Sequence, residues 1–115
     1  MEMGQVQGFI IASGASLSNS LLIDGADRMS IVIQTGATTA ALTFQASHDG
    51  VKFYELKDSA GAAVTVTGAA SASCFSLAQG HLTQNVKFMK IRSGTVGTAQ
   101  VQTAGMVGSV YRRWS

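Results

Sequence analysis

Leu42-Thr43-Phe44-Gln45-Ala46-Ser47-His48-Asp49-Gly50-Val51-Lys52-Phe53-Tyr54 is the stretch that decides the fold class. Leu42, Phe44 and Ala46 alternate with Thr43, Gln45 and Ser47, and side chains that change character at every second position belong on a strand with one face buried. Asp49-Gly50 follows, a pair tolerant of positive φ, and predicts a two-residue type I′ turn that sends the chain back as a second strand. The segment reads as a β-hairpin.

Working outward, helical periodicity is absent, while short β-branched or aromatic runs bounded by Gly, Asp, Asn and Ser recur about every ten residues. Strands are expected at 6–11, 20–23, 28–34, 41–48, 51–56, 63–67, 73–77, 86–93, 99–103 and 106–112. That spacing belongs to an all-β chain folded as an antiparallel sandwich or barrel. A second reversal is expected at Lys57-Asp58-Ser59-Ala60-Gly61, where Val64 and Val66 then share one face and Thr65 and Thr67 the other. From Val86 the phase changes: Val86 and Phe88 have one parity, Met89 and Ile91 the other. A bulge near Phe88, or a strand buried on both faces, accounts for it.

Composition sets the bounds. Ala, Gly, Ser and Thr make up 52 of the 115 residues, and 12% are charged. One domain spanning 1–115 is expected, with a modest core. The acidic residues are matched by cations in the body, so the formal charge of +2 resides on Arg112 and Arg113. Two terminal arginines are a poor substitute for the basic stripe of a nucleic-acid reader, and nucleic acid is disfavoured as a partner. The one cysteine, Cys74, between Ser73 and Phe75, reads as a buried, inert thiol. Glu2 stands where a signal peptide needs bases, and no apolar run approaches the roughly 18 residues of a membrane span. Synthesis in the cytoplasm with no membrane partner is the expectation.

Residues equipped for chemistry are few. His48 reads as a solvated strand end and His81 as a loop residue, with no spacing that makes a zinc site. Serines lie in no nucleophile elbow, and glycines form no phosphate cradle. Glu55 and Asp58 flank a turn and read as solvated rather than as an acid/base pair. The expectation is a protein that is not an enzyme, with no catalytic residues, metal or cofactor. Interface chemistry is better represented. Tyr111, Arg112, Arg113 and Trp114 concentrate side chains favoured at protein contacts. They read either as the end of a last strand with a frayed tail or as an anchor on a neighbouring subunit. At the other end Gly4, Gly8 and Gly14 punctuate a strand carrying Val6, Phe9 and Ile10, able to add to a neighbour's sheet edge. The chain has no proline, one of the devices that guard sheet edges.

Several segments in order resemble a family of small structural proteins of tailed bacteriophages and prophages. They are Ile11-Ala12-Ser13-Gly14-Ala15-Ser16-Leu17-Ser18, the hairpin Ala41 to Phe53, Asp58-Ser59-Ala60-Gly61, Val86-Lys87-Phe88-Met89-Lys90-Ile91-Arg92-Ser93-Gly94-Thr95 and Gln100-Val101-Gln102. The resemblance implies a single antiparallel β-sandwich of jelly-roll type, incorporated in the virion. It implies a capsid decoration or cement protein that binds the major capsid protein or other virion subunits as a homo-oligomer. A vertex spike or fibre base, or a tail or baseplate component, is the alternative. A carbohydrate-binding module is a third reading.

Overall fold

The computed structural model describes residues 3–24, 28–35, 40–57, 60–69, 73–77, 86–95, 97–102 and 105–114. Nine strands follow in order among these residues: β1 (Met3–Ile11), β2 (Leu21–Leu22), β3 (Arg28–Thr35), β4 (Ala40–Ser47), β5 (Tyr54–Glu55), β6 (Val66–Ala69), β7 (Ser73–Leu77), β8 (Phe88–Ser93) and β9 (Met106–Trp114). Among the described residues there is no helix. Two antiparallel sheets form. Sheet I has the order β1-β9-β3-β7, and sheet II the order β2-β8-β4, with β5 and β6 both pairing along the far side of β4. The protein is an all-β sandwich.

The pairing is nested. β1 pairs with β9, β2 with β8, β3 with β7, and β4 with β5 and β6, and successive pairs alternate between the sheets. The chain is thus one long hairpin folded over on itself, with its two ends side by side in sheet I and its tip in sheet II. Contacts β9–β3 and β8–β4 join the nested pairs within each sheet.

Parity fills the core. Phe9 and Ile11 of β1, Met29, Ile31 and Ile33 of β3, and Met106 and Val110 of β9 face inward from sheet I. Leu42 and Phe44 of β4 and Met89 and Ile91 of β8 meet them from sheet II. The register makes one close approach: Gly108 lies opposite both Phe9 and Ile33. The Phe9 ring lies in the space a side chain at Gly108 would need, with Cε1 2.6 Å from where a Cβ would stand. An aromatic on one strand covers the bare backbone of the next.

Four expectations change. The hairpin at 42–54 forms, with Gln45 opposite Glu55 and Ala46 opposite Tyr54, but its loop is longer than two residues. Gly50 has φ +79° while Asp49 does not share the positive region, so the turn is not type I′. Ser47 Oγ accepts from the amides of Asp49 and Gly50, and Asp49 Oδ1 accepts from those of Val51 and Lys52, which organises the wider loop. Second, β8 keeps an unbroken register with β4, so there is no bulge at Phe88. Val86 lies before the strand begins, and the outward residues Phe88, Lys90 and Arg92 are half-buried. Third, 99–102 forms no strand; it is held by a Gly94–Ala99 bridge, by Gln100 N donating to Ser93 O and by Gln102 N donating to Ala15 O. Fourth, Cys74 is exposed. It pairs with the outward-facing Val32, and it is its neighbour Phe75 that packs against the core. The turn at 57–61 is marked by a Lys57–Ala63 bridge, while Asp58 and Ser59 lie outside the described residues.

Candidate functional site

The two outer faces of the sandwich differ in chemistry. On sheet II, Thr43, Gln45 and Ser47 of β4 and Lys90 and Arg92 of β8 point outward. Arg92 Nη1 makes a 2.7 Å ion pair with Glu55, both side chains largely covered. Thr43 Oγ1 donates to Gly94 O at 2.8 Å, and Lys90 Nζ stands 4.5 Å from the centroid of the Phe53 ring. Arg92 therefore lies along the sheet and ties β8 to β5, and Glu55 is committed to that cation. A groove of about 340 Å³ opens beside the loop, lined by Ser47, His48, Asp49, Lys52, Tyr54 and Glu55 among others. Asp49 is held below the usual carboxylate range chiefly by the amides of Val51 and Lys52, so it serves as a loop cap. His48 is exposed at the strand end, and His81 lies outside the described residues. Among the described residues no three His, Cys, Asp or Glu side chains converge, and no helix is long and apolar enough to cross a membrane.

Sheet I presents the opposite character. Its outer face carries Gly4, Val6, Gly8 and Ile10 from β1, Val107, Ser109 and Tyr111 from β9, Ser30, Val32 and Gln34 from β3, and Cys74 from β7. Every described side chain on this face is uncharged. Val6 is 68% exposed, Ile10 53%, Tyr111 42% and Val107 40%, an unusual display of large apolar groups on one side of a small domain. The β1–β9 register puts Val6 opposite Tyr111 and Ile10 opposite Val107, so the four are cross-strand neighbours. The Tyr111 ring lies over the backbone of Gly4. Beside it a shallow depression is lined by Val6, Gly8, Ile10, Asn19, Val107 and Ser109 among others.

The structure thus brings together three of the interface residues read from the sequence, Val6, Ile10 and Tyr111. It turns two others inward. Phe9 is 3% exposed in the core, because its parity on β1 is opposite to that of Val6 and Ile10. Arg112 is 4% exposed, donating from Nη1 to Leu22 O and from Nη2 to Gln5 Oε1. Both corrections have the same cause: strand parity sends alternate residues to opposite faces. Burial lowers the Arg112 pKa, and Asp24 opposes that shift. Arg112 is a clamp between sheets, since Leu22 belongs to β2 of sheet II. β9 stays paired as far as Trp114: Arg113 pairs with both Gly4 and Arg28, and Trp114 with Met3. The side chains of Arg113 and Trp114 lie outside what the structure describes. Sequence reasoning missed Val32 and Val107; the signal was available in the parity they share with outward neighbours, but only once β3 and β9 were known to be adjacent.

Comparison with protein families, with curated proteins and with solved structures finds no match to this chain.

Proposed function

We propose that this protein is a non-enzymatic structural subunit of a bacteriophage particle, a capsid decoration or cement protein. The observation that carries the reading is the outer face of sheet I, where every described side chain is uncharged and Val6, Ile10, Val107 and Tyr111 form an apolar surface with small residues between them. Exposed apolar area of this kind is kept for contacts with other proteins. The nested strand order supports a jelly-roll reading of the sandwich, an architecture that recurs among capsid and lectin domains. The sequence resemblance to small structural proteins of tailed phages supports the setting: made in the host cytoplasm and carried in the virion, against the major capsid protein or other virion subunits, as a homo-oligomer. The mechanism is linkage. A subunit that binds only the assembled shell stabilises it by RT ln(1 + [L]/Kd) per site, about 4 kcal/mol when free protein exceeds Kd a thousandfold.

Mass spectrometry of purified particles of the encoding phage tests the reading: hundreds of copies per particle are expected, and absence from the particle overturns it. A few dozen copies or fewer would move the protein to a vertex spike, fibre base, tail or baseplate. A carbohydrate-binding role has one observation in its favour, the exposed Tyr54 beside His48 and Glu55 in the sheet II groove. Glycan-array binding lost in Tyr54→Ala would establish it.

A further inference from the structure

Among the described residues β1 is an outer strand of sheet I and pairs only with β9, in one unbroken register from Met3 to Ile11. That register fixes which backbone groups face away from the sheet. The Ile10 amide donates to Asn19 Oδ1 rather than into the ladder, so the amides and carbonyls of Gly8, Val6 and Gly4, which share its parity, also point outward. Asn19 closes the edge at Ile10. From Gly8 to Gly4 no described residue pairs with the outward side of the strand, and the segment itself contains neither a charged residue nor a proline. The sequence of that open segment is Gly4-Gln5-Val6-Gln7-Gly8, which reads the same in both directions about Val6.

We propose that two copies of the chain join along this edge, antiparallel, about a two-fold axis at Val6, so that sheet I runs continuously through both copies. In that register Val6 exchanges both backbone bonds with Val6 of the second copy, and Gly4 and Gly8 of each copy exchange theirs with Gly8 and Gly4 of the other. Every outward group from 4 to 8 is then satisfied, and the pairing stops where Asn19 has already taken the Ile10 amide. The self-matching sequence favours a second copy over an unrelated strand, because an isologous contact needs residue i to meet j where j meets i. The outer face agrees. Tyr111 is the cross-strand neighbour of Val6, so the axis creates a row of Tyr111, Val6, Val6 and Tyr111. The Tyr111 ring over Gly4 comes to face the depression at Gly8 of the other copy, between its Val6 and Ile10. On the inner side Gln5 meets Gln7, and no charge meets a like charge.

This inference deepens the homo-oligomeric part of the virion reading, and it is tested on the purified full-length chain alone, so either can fail without the other. Sedimentation velocity should show a concentration-dependent dimer. Val6→Pro removes an outward amide and leaves the β1–β9 bonds in place; it should give a monomer with an unchanged far-UV circular dichroism spectrum and a dimer dissociation constant raised at least ~10-fold. Register is read by oxidation in a Cys74→Ser background. Val6→Cys should cross-link two copies, since Cα atoms about 5.5 Å apart in a hydrogen-bonded pair suit a disulfide, and Ile10→Cys should not. These cysteine variants decide the matter even if the proline variant fails to fold. A wild type that is monomeric or larger than a dimer, a folded Val6→Pro that still dimerises, or Ile10→Cys cross-linking as readily as Val6→Cys, overturns the proposal.

Discussion

Gly108→Ala adds one methyl group to the centre of sheet I and is expected to destabilise the protein. A Cβ there would stand 2.6 and 2.7 Å from Cε1 and Cζ of Phe9, and would also overlap the carbonyl oxygen of Val32 on β3. Carbon atoms pack at about 3.5–4.0 Å, so the ring has to retreat by roughly 1 Å. Phe9 is buried in the core, and moving it opens a gap on its far side; overpacking of this kind costs about 1–3 kcal/mol. The Val32 carbonyl belongs to a backbone that cannot swing aside, so β3 and β9 must part locally and weaken ladder bonds worth about 1 kcal/mol each. Against this, losing a glycine returns about 0.4–1 kcal/mol through the unfolded chain. The net expectation is a loss of about 2–3 kcal/mol, a large share of the roughly 5–15 kcal/mol a domain possesses. Urea unfolding followed by far-UV circular dichroism measures it as a midpoint lowered by ~1–2 M. Phe9→Leu shortens the intruding side chain, so the double variant should be less unstable than the summed single losses by about 1 kcal/mol, the remainder being the Val32 clash. Gly108→Ala as stable as the wild type, or strict additivity with Phe9→Leu, would refute the reasoning.

Two further outcomes follow from named contacts. Cys74 is exposed on β7, so a thiol reagent should label it in the native protein as fast as in the unfolded one, and Cys74→Ser should change stability by less than about 0.5 kcal/mol; slow native labelling would put the thiol back in the core. The Asp49 carboxylate accepts from two loop amides, and its pKa is lowered from 3.8. A depressed folded pKa means that the loop order is present at neutral pH and is lost only as pH falls below 3.8 and through the lower folded value. The amide resonances of Val51 and Lys52 should shift in that acid range, and Asp49→Asn should abolish the transition; a transition centred above 3.8 contradicts the capping role.

Much of the strand content was legible because a strand's period is local. The alternation at Leu42, Phe44 and Ala46 needs no partner to be recognised, and the β-branched run at Ile31, Val32 and Ile33 likewise declares itself. Loop geometry was less so. Asp49-Gly50 permits a tight turn, yet Ser47 and Asp49 side chains supply enough local acceptors to hold a longer one, and both solutions suit the same residues. Residues 99–102 look like a strand by composition, but Gln102 is buried with its Nε2 on Ser93 Oγ, a use that no periodicity announces.

The sequence by itself determined that the chain is all-β, where most strands lie and that the hairpin at 42–54 turns back, since these follow from the two-residue repeat and the turn residues. Only the tertiary structure decided which side is inside for strands with apolar residues in both sets, such as β1 and β9. Parity divides a strand into two sets but does not label them; pairing does, because β9 is enclosed between β1 and β3 and must turn one set to the core. That single constraint buried Phe9 and Arg112, exposed Cys74, and gathered Val6, Ile10, Val107 and Tyr111 on one face.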